Sequence, residues 1–294
     1  MVTHSEPGQP IARNRPCPRL SGRAAAAALA LAVTWTIALA GRALAQEHST
    51  AEMARAAQNP LANLMSFPFQ DNTSYEIGSF DRTQNVLNFQ PVLPFKDGRL
   101  ITRTIIPFVW QPDVSMASGT STGLGDIQFT AFYSPPSRKV TWGFGPILSF
   151  PTGGESRGTD KWSIGPSIVA LVMPGQWVVG ALVNNVWSFA GDEDAPDVNA
   201  FLLQPFINYN FGETGWYLSF SPIITSNWEA PSGQGWIVPL GGTVGKLWRV
   251  GKKGLPVNTQ VGAFYNVVRP DAGPNWSTRV QVQILLPKHR PAGR

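Results

Sequence analysis

Between residues 257 and 269 (VNTQVGAFYNVVR) apolar and polar side chains alternate with a period of two. Val257, Thr259, Val261, Ala263, Tyr265 and Val267 share one parity; Asn258, Gln260, Gly262, Phe264 and Asn266 share the other. Successive side chains of a strand point to opposite faces, so the stretch predicts a strand with one apolar and one mostly polar face. At about a dozen residues it exceeds an ordinary globular strand and fits a tilted membrane-crossing one. A short basic turn (251–256, GKKGLP) precedes it and a Pro/Asp/Gly loop (270–275) follows. The unit recurs from residue 66 onward. Twelve strands are predicted, over 66–78, 84–95, 100–112, 123–134, 140–151, 162–173, 177–190, 198–211, 216–228, 236–250, 257–269 and 276–287.

The connections alternate in character. One set is short: 96–99 (KDGR), 135–139 (PPSRK), 174–176 (PGQ), 212–215 (GETG) and 251–256. The other is mostly longer and polar: 113–122, 152–161, 191–197, 229–235 and 270–275. Short periplasmic turns opposite longer external loops are the habit of outer-membrane barrels, and an even strand count puts both termini on the periplasmic side. The fold class expected is all-β: a transmembrane antiparallel up-and-down β-barrel of about twelve strands following a cleaved signal peptide.

Tryptophan placement supports the same reading. Trp110, Trp142, Trp162, Trp177, Trp187, Trp216, Trp228, Trp236, Trp248 and Trp276 all fall within a few residues of an expected strand end. Trp216 with Trp228, and Trp236 with Trp248, share the apolar parity at opposite ends of one strand. Two aromatic bands are what the water–lipid boundaries require. Core residues of a soluble sandwich would instead be scattered mid-strand. Pro91, Pro107, Pro146, Pro166, Pro205, Pro222 and Pro239 resist, because proline cannot donate to a ladder. Bulges are expected there; outright breaks would lower the strand count.

Composition changes the picture mainly at the N-terminus. Arg13, Arg15, Arg19 and Arg23 precede an apolar run at 24–40, and Ala43-Leu44-Ala45 offers a small-x-small cleavage site. Residues 1–45 thus read as a secretory signal peptide with maturation after Ala45, in preference to an uncleaved anchor. The leader takes five of the 23 basic and one of the 18 acidic residues, leaving 18 and 17. The basic balance is therefore no sign of nucleic-acid binding. Cys17, the only cysteine, leaves as well, so no disulfide or thiolate chemistry is expected. Residues 46–65 read as a periplasmic N-terminal segment, a loose leader in preference to a small plug, with a short helix over 52–58 stopped by Asn59-Pro60. The barrel is assigned to 66–287 and a C-terminal tail to 288–294.

Several stretches resemble a known family: 83–95 (TQNVLNFQPVLPF), 102–108 (TRTIIPF), 123–127 (GLGDI), 181–192 (ALVNNVWSFAGD), 202–211 (LLQPFINYNF), 227–230 (NWEA) and 264–276 (FYNVVRPDAGPNW). Together they are similar to bacterial outer-membrane barrels labelled as transporters, grouped with the MetA-pathway phenol-degradation proteins and often misnamed "neuromedin U". The resemblance implies an outer-membrane protein passing small solutes, aromatic ones among them, and supplies no catalytic residues. The last strand departs from the usual aromatic-terminated assembly signal and ends Ile284-Leu285-Leu286-Pro287.

Candidate chemistry is sparse. His4, His48 and His289 lie outside the expected strands and no G-x-S-x-G motif is present, which argues against serine hydrolysis. Asp113, Asp126, Glu155, Asp160, Asp192, Glu193, Asp194 and Asp197 fall mostly in expected external loops, where solvated charge is the ordinary explanation. The run 191–197 (GDEDAPD) lacks the spacing of a calcium loop, so no metal site is assigned. The run 241–246 (GGTVGK) lacks the first glycine and the Ser/Thr of a phosphate loop.

The polar parity offers lumen-lining candidates: Asn88, Gln90, Arg103, Asp126, Gln128, Gln204, Asn208, Asn258, Gln260, Asn266, Arg279, Gln281 and Gln283. A barrel of twelve strands lies between filled eight-stranded and open sixteen-stranded ones, so a narrow lumen is expected. Amides could hydrogen-bond a neutral solute there, or bond one another and close the interior. Arg103 and Asp126, on neighbouring strands with matching parity, are expected to pair. The function expected is passive passage of small, hydrophobic or aromatic solutes through a narrow lumen, without enzyme activity or cofactor. The alternative is a closed structural or surface-exposed barrel. Expected partners are outer-membrane lipid, the outer-membrane assembly machinery and a small-molecule solute, with no nucleic acid.

Overall fold

The computed structural model describes residues 49–137, 139–154 and 156–287. The leader (1–45), residues 46–48 and the tail 288–294 lie outside them, as does Glu155. Fifteen strands form one antiparallel sheet: β1 (Leu64–Ile77), β2 (Arg82–Phe89), β3 (Val92–Phe95), β4 (Leu100–Pro112), β5 (Thr120–Leu124), β6 (Ile127–Tyr133), β7 (Thr141–Phe150), β8 (Lys161–Val172), β9 (Trp177–Gly191), β10 (Asn199–Asn210), β11 (Trp216–Phe220), β12 (Ile224–Asn227), β13 (Trp236–Val250), β14 (Leu255–Val268) and β15 (Trp276–Pro287). The pairs β2/β3, β5/β6 and β11/β12 are each one stave interrupted in the middle, which makes twelve staves.

Consecutive staves pair all the way round. The last, β15, pairs with β1 from Tyr75↔Trp276 to Leu64↔Pro287, closing the sheet on itself. Closure is what lipid demands, because hydrocarbon cannot satisfy the unpaired backbone groups of a sheet edge. The alternation on β14 survives in three dimensions. Asn258, Phe264 and Asn266 are buried inside, whereas Val261 and Tyr265 are about 60% exposed on the outer wall. One outward carboxylate interrupts the apolar wall: Asp71 accepts from Thr73 Oγ1 (3.0 Å) and Asn85 Nδ2 (2.8 Å).

The prolines behave in different ways. Pro91 and Pro222 occupy the interruptions between β2 and β3 and between β11 and β12. A register shift falls at Val238/Pro239. Pro146 and Pro166 face each other across β7 and β8, where pairing to the outer neighbours lapses for two residues. Pro205 sits in an unbroken register with Ala181. The staves continue through all of these, so the expected count of twelve holds while uniform bulging does not.

The N-terminal segment is not a loose leader. Helix α1 (Thr50–Ala57) opens with a capping box, in which Ser49 Oγ accepts from the Glu52 backbone and Glu52 returns the bond to the Ser49 backbone. Met53 and Ala54 pack against Leu64, Leu247 and Leu285 on the inner wall. Beyond the helix, Leu61 enters a second cluster with Ile101, Phe132, Val169, Leu171, Val178, Leu182 and Phe206. These inner-wall residues lie at the end of the barrel bearing the short turns, which barrel convention makes the periplasmic mouth. Burying a Leu or Met side chain contributes on the order of 2 kcal/mol, so two such clusters seat the segment firmly. The segment is a plug.

Candidate functional site

The inner wall defines the site, and its waist is a cavity of about 170 Å³. Eight lumen candidates line it: Gln90, Arg103, Gln204, Asn208, Gln260, Arg279, Gln281 and Gln283. Alternation explains why they converge, since every second residue of each stave must point inward. Arg103 donates through Nη2 to Gln90 Oε1 at 2.6 Å. Arg279 donates through Nε to Asn72 Oδ1 (3.2 Å) and through Nη1 to the Ser221 carbonyl (3.0 Å), and lies 4.6 Å from the Phe264 ring centroid.

The remaining five candidates do other things. Asn258 is fully buried. It accepts from Tyr217 OH (2.8 Å) and donates to Gln283 Oε1 (3.1 Å), while Gln260 donates to the same Tyr217 oxygen (2.8 Å). Here amides do bond one another, side by side along the inner wall. Gly245 makes room for that tyrosine: a Cβ there would fall 2.1 Å from its ring. Asn266 donates to the Pro274 carbonyl (2.7 Å) and so holds the loop after β14. Asn88 stands opposite Gln70 and Pro107, and Gln128 opposite Ile105 and Ser149, outside the waist cavity.

Asp126 does not pair with Arg103. Its carboxylate accepts from the Gly153 backbone (2.9 Å), the Thr159 backbone (2.7 Å) and Thr159 Oγ1 (2.8 Å), tying loop 152–160 to the rim. The cause is register. Arg103 stands opposite Thr130, four residues further along the stave and about 13 Å away at strand spacing. Asp126 itself lies in the interruption between β5 and β6, within reach of loop donors. From the same loop, Arg157 donates to the Leu124 carbonyl (3.3 Å) and to Ser121 Oγ.

Sequence reasoning missed several lining groups. Gln70, Ser219 and Ser221 line the cavity, as do plug residues Ala56 to Pro60. The first three carry the inward parity of their own staves and could have been found from it. The plug residues carry no such signal. Gln58 exchanges amide hydrogen bonds with Asn210 (2.8 and 3.2 Å), Gln283 donates to the Ala57 carbonyl (3.5 Å), and Arg55 reaches the Gly175 carbonyl (2.5 Å) in a short turn.

The ten tryptophans stand on the outer wall in two bands. Trp142, Trp177, Trp216 and Trp248 lie at the short-turn end, and Trp110, Trp162, Trp187, Trp228, Trp236 and Trp276 at the other. Lys246 sits between two of them, with Nζ 4.6 Å from the Trp216 ring centroid and 4.0 Å from that of Trp248. An outward lysine at membrane depth is accommodated when its head reaches the interface and an aromatic face. Among the described residues no cluster of acidic, His or Cys side chains suits a metal ion.

Comparison with known proteins agrees with this architecture. Residues 70–221, just over half of the chain, match the family described as "Putative MetA-pathway of phenol degradation". The chain belongs to this family. No curated protein matches the sequence. Among solved structures it is similar to the COG4313 outer membrane channel from Pseudomonas putida F1, with a TM-score of 0.55 and 17% identity, over 76% of this chain and 94% of that one. It is also similar to the NanC porin, with a TM-score of 0.51 and 8% identity, over 76% of this chain and 100% of that one. At these identities the likeness speaks for the fold: this member of the family is a closed twelve-stranded β-barrel of the kind those outer-membrane proteins have.

Proposed function

We propose that the protein is a narrow channel of the bacterial outer membrane, passing small solutes passively, aromatic compounds among them. The observation that carries this reading is the polar waist cavity, lined by amides and two arginines and bordered by the N-terminal segment. A purely structural barrel has no need for an amide-lined cavity on its axis. The MetA-pathway family supports aromatic solutes, and the two similar solved structures are of proteins described as a channel and a porin. The reading assigns the protein no reaction and no cofactor. Secretion through the leader and cleavage after Ala45 belong to it.

A second reading, a sealed barrel, draws on the plug, because α1 and Leu61 pack the lumen closed with apolar contacts. The two separate by uptake into liposomes. Protein reconstituted from the outer membrane should admit small phenolic compounds faster than protein-free vesicles and exclude disaccharides. Equal rates with and without correctly folded protein would leave only the sealed barrel.

A further inference from the structure

The waist carries charge of one sign. Among the described residues, Arg103 and Arg279 are the only charged side chains lining the cavity, and no Asp or Glu lines it. Neither arginine forms a salt bridge among the described residues. The hydrogen bonds of Arg103 and Arg279 go to neutral groups: Gln90, Asn72 and the Ser221 carbonyl. The inward carboxylate nearest in sequence pattern, Asp126, is taken up by three donors of loop 152–160.

A guanidinium has five N–H donors and does not deprotonate in proteins, so burial cannot be relieved by losing the charge. Arg279 is only 7% exposed and uses donors on Nε and Nη1, leaving part of its fork for another acceptor. Removing a cation from water without a counter-charge is costly, and the cost falls when an anion enters beside it. Rings of Arg or Lys are the device by which pores select anions. The fork geometry fits a carboxylate bidentately. Phe206, Leu182 and Val92 line the same cavity and offer apolar contact to the rest of such a molecule.

We propose that the waist is an anion-binding site, in which the positive charge of Arg103 and Arg279 on the cavity wall attracts and holds the carboxylate of a small organic acid that has an apolar or aromatic body. The proposal names the solute class for the channel reading and rests on it for transit, though not for binding.

Protein purified from an expressing outer membrane is titrated calorimetrically with sodium benzoate and, separately, with benzyl alcohol. Saturable benzoate binding is expected, with benzyl alcohol bound at least about tenfold more weakly, the loss that follows from one missing charge-assisted bond. Arg103→Gln and Arg279→Gln should each weaken benzoate binding by a similar factor, and Arg103→Lys should restore part of it. Heat-modifiable gel migration confirms that each variant is folded. Benzoate bound equally well by the glutamine variants, or no more tightly than the alcohol, would overturn the site. Reversal potentials in a potassium chloride gradient supply the second readout: chloride preference is expected, diminished in both glutamine variants. A conducting channel that prefers potassium overturns the anion site and leaves the channel reading standing. Arginine-dependent benzoate binding by a protein that never conducts supports the site and overturns the channel.

Discussion

At the short-turn mouth a large group of inward side chains is apolar, and the N-terminal segment covers them with Met53, Ala54 and Leu61, alongside the Gln58–Asn210 amide pair. At the opposite mouth the contacts are polar: Asp126 gathers the backbone and hydroxyl donors of Gly153 and Thr159, and Lys161 reaches Asp197 at 3.6 Å with that carboxylate 79% exposed. One end is closed mainly by apolar packing and the other is shaped by bonds that water can replace. An apolar seal loses its stabilisation only when the packed surface separates, so it behaves as a unit. A solvent-facing hydrogen bond contributes about 1 kcal/mol and can be exchanged singly. The plug mouth should therefore control whether the lumen is open, and the loop mouth should modulate it.

The largest effect is expected from removing the plug. Deletion of residues 46–62 leaves the staves intact and should raise single-channel conductance several-fold. A conductance equal to that of the intact protein would mean the segment does not obstruct the path. Next comes Leu61→Ala, which opens space beside Ile101, Phe132 and Val169 and should cost roughly 2–5 kcal/mol of plug seating. The expected readout is a longer open time at unchanged fully open conductance, together with faster proteolysis within 49–63. Protection equal to that of the parent would contradict the seal. Asp126→Asn should weaken the loop by about 1–3 kcal/mol through loss of charge-assisted acceptors. It should add brief current fluctuations without changing the main conductance level. The smallest effect belongs to Lys246→Ala on the outer wall, where loss of the two aromatic contacts should cost about 1 kcal/mol. Thermal unfolding should fall by a few degrees with conductance unaltered, and a conductance change there would show that the wall and lumen are coupled.

The two mouths also differ in how far they were legible. The staves could be read because alternation and tryptophan spacing are properties of each strand taken alone; β13 and β15 fall on the expected bounds. The plug could not, because its signal is relational. Leu171, Val178 and Phe206 look like lipid-facing residues to a reader who expects every inward position to be polar, and only the presence of Leu61 among them explains their parity. Residues 46–65 show helix propensity but nothing that says where the helix docks. The Arg103–Asp126 pair failed for a related reason. Parity assigns a face, not a height, and the interruption after Leu124 leaves Asp126 near the rim while Arg103 lies opposite Thr130. Of the thirteen lumen candidates, those at the waist share a cavity, while Asn258 and Asn266 serve the network and the loop.

A channel of this kind needs a narrow polar path through the barrel that the N-terminal segment seals. Paired single-channel recordings of the intact protein and the form lacking 46–62, in the same planar bilayers, test it most directly. The account predicts discrete steps from both, small and intermittent with the segment present, larger and sustained without it. Silence from the shortened protein, with its barrel shown to be folded by circular dichroism, would contradict the account and leave a closed structural barrel.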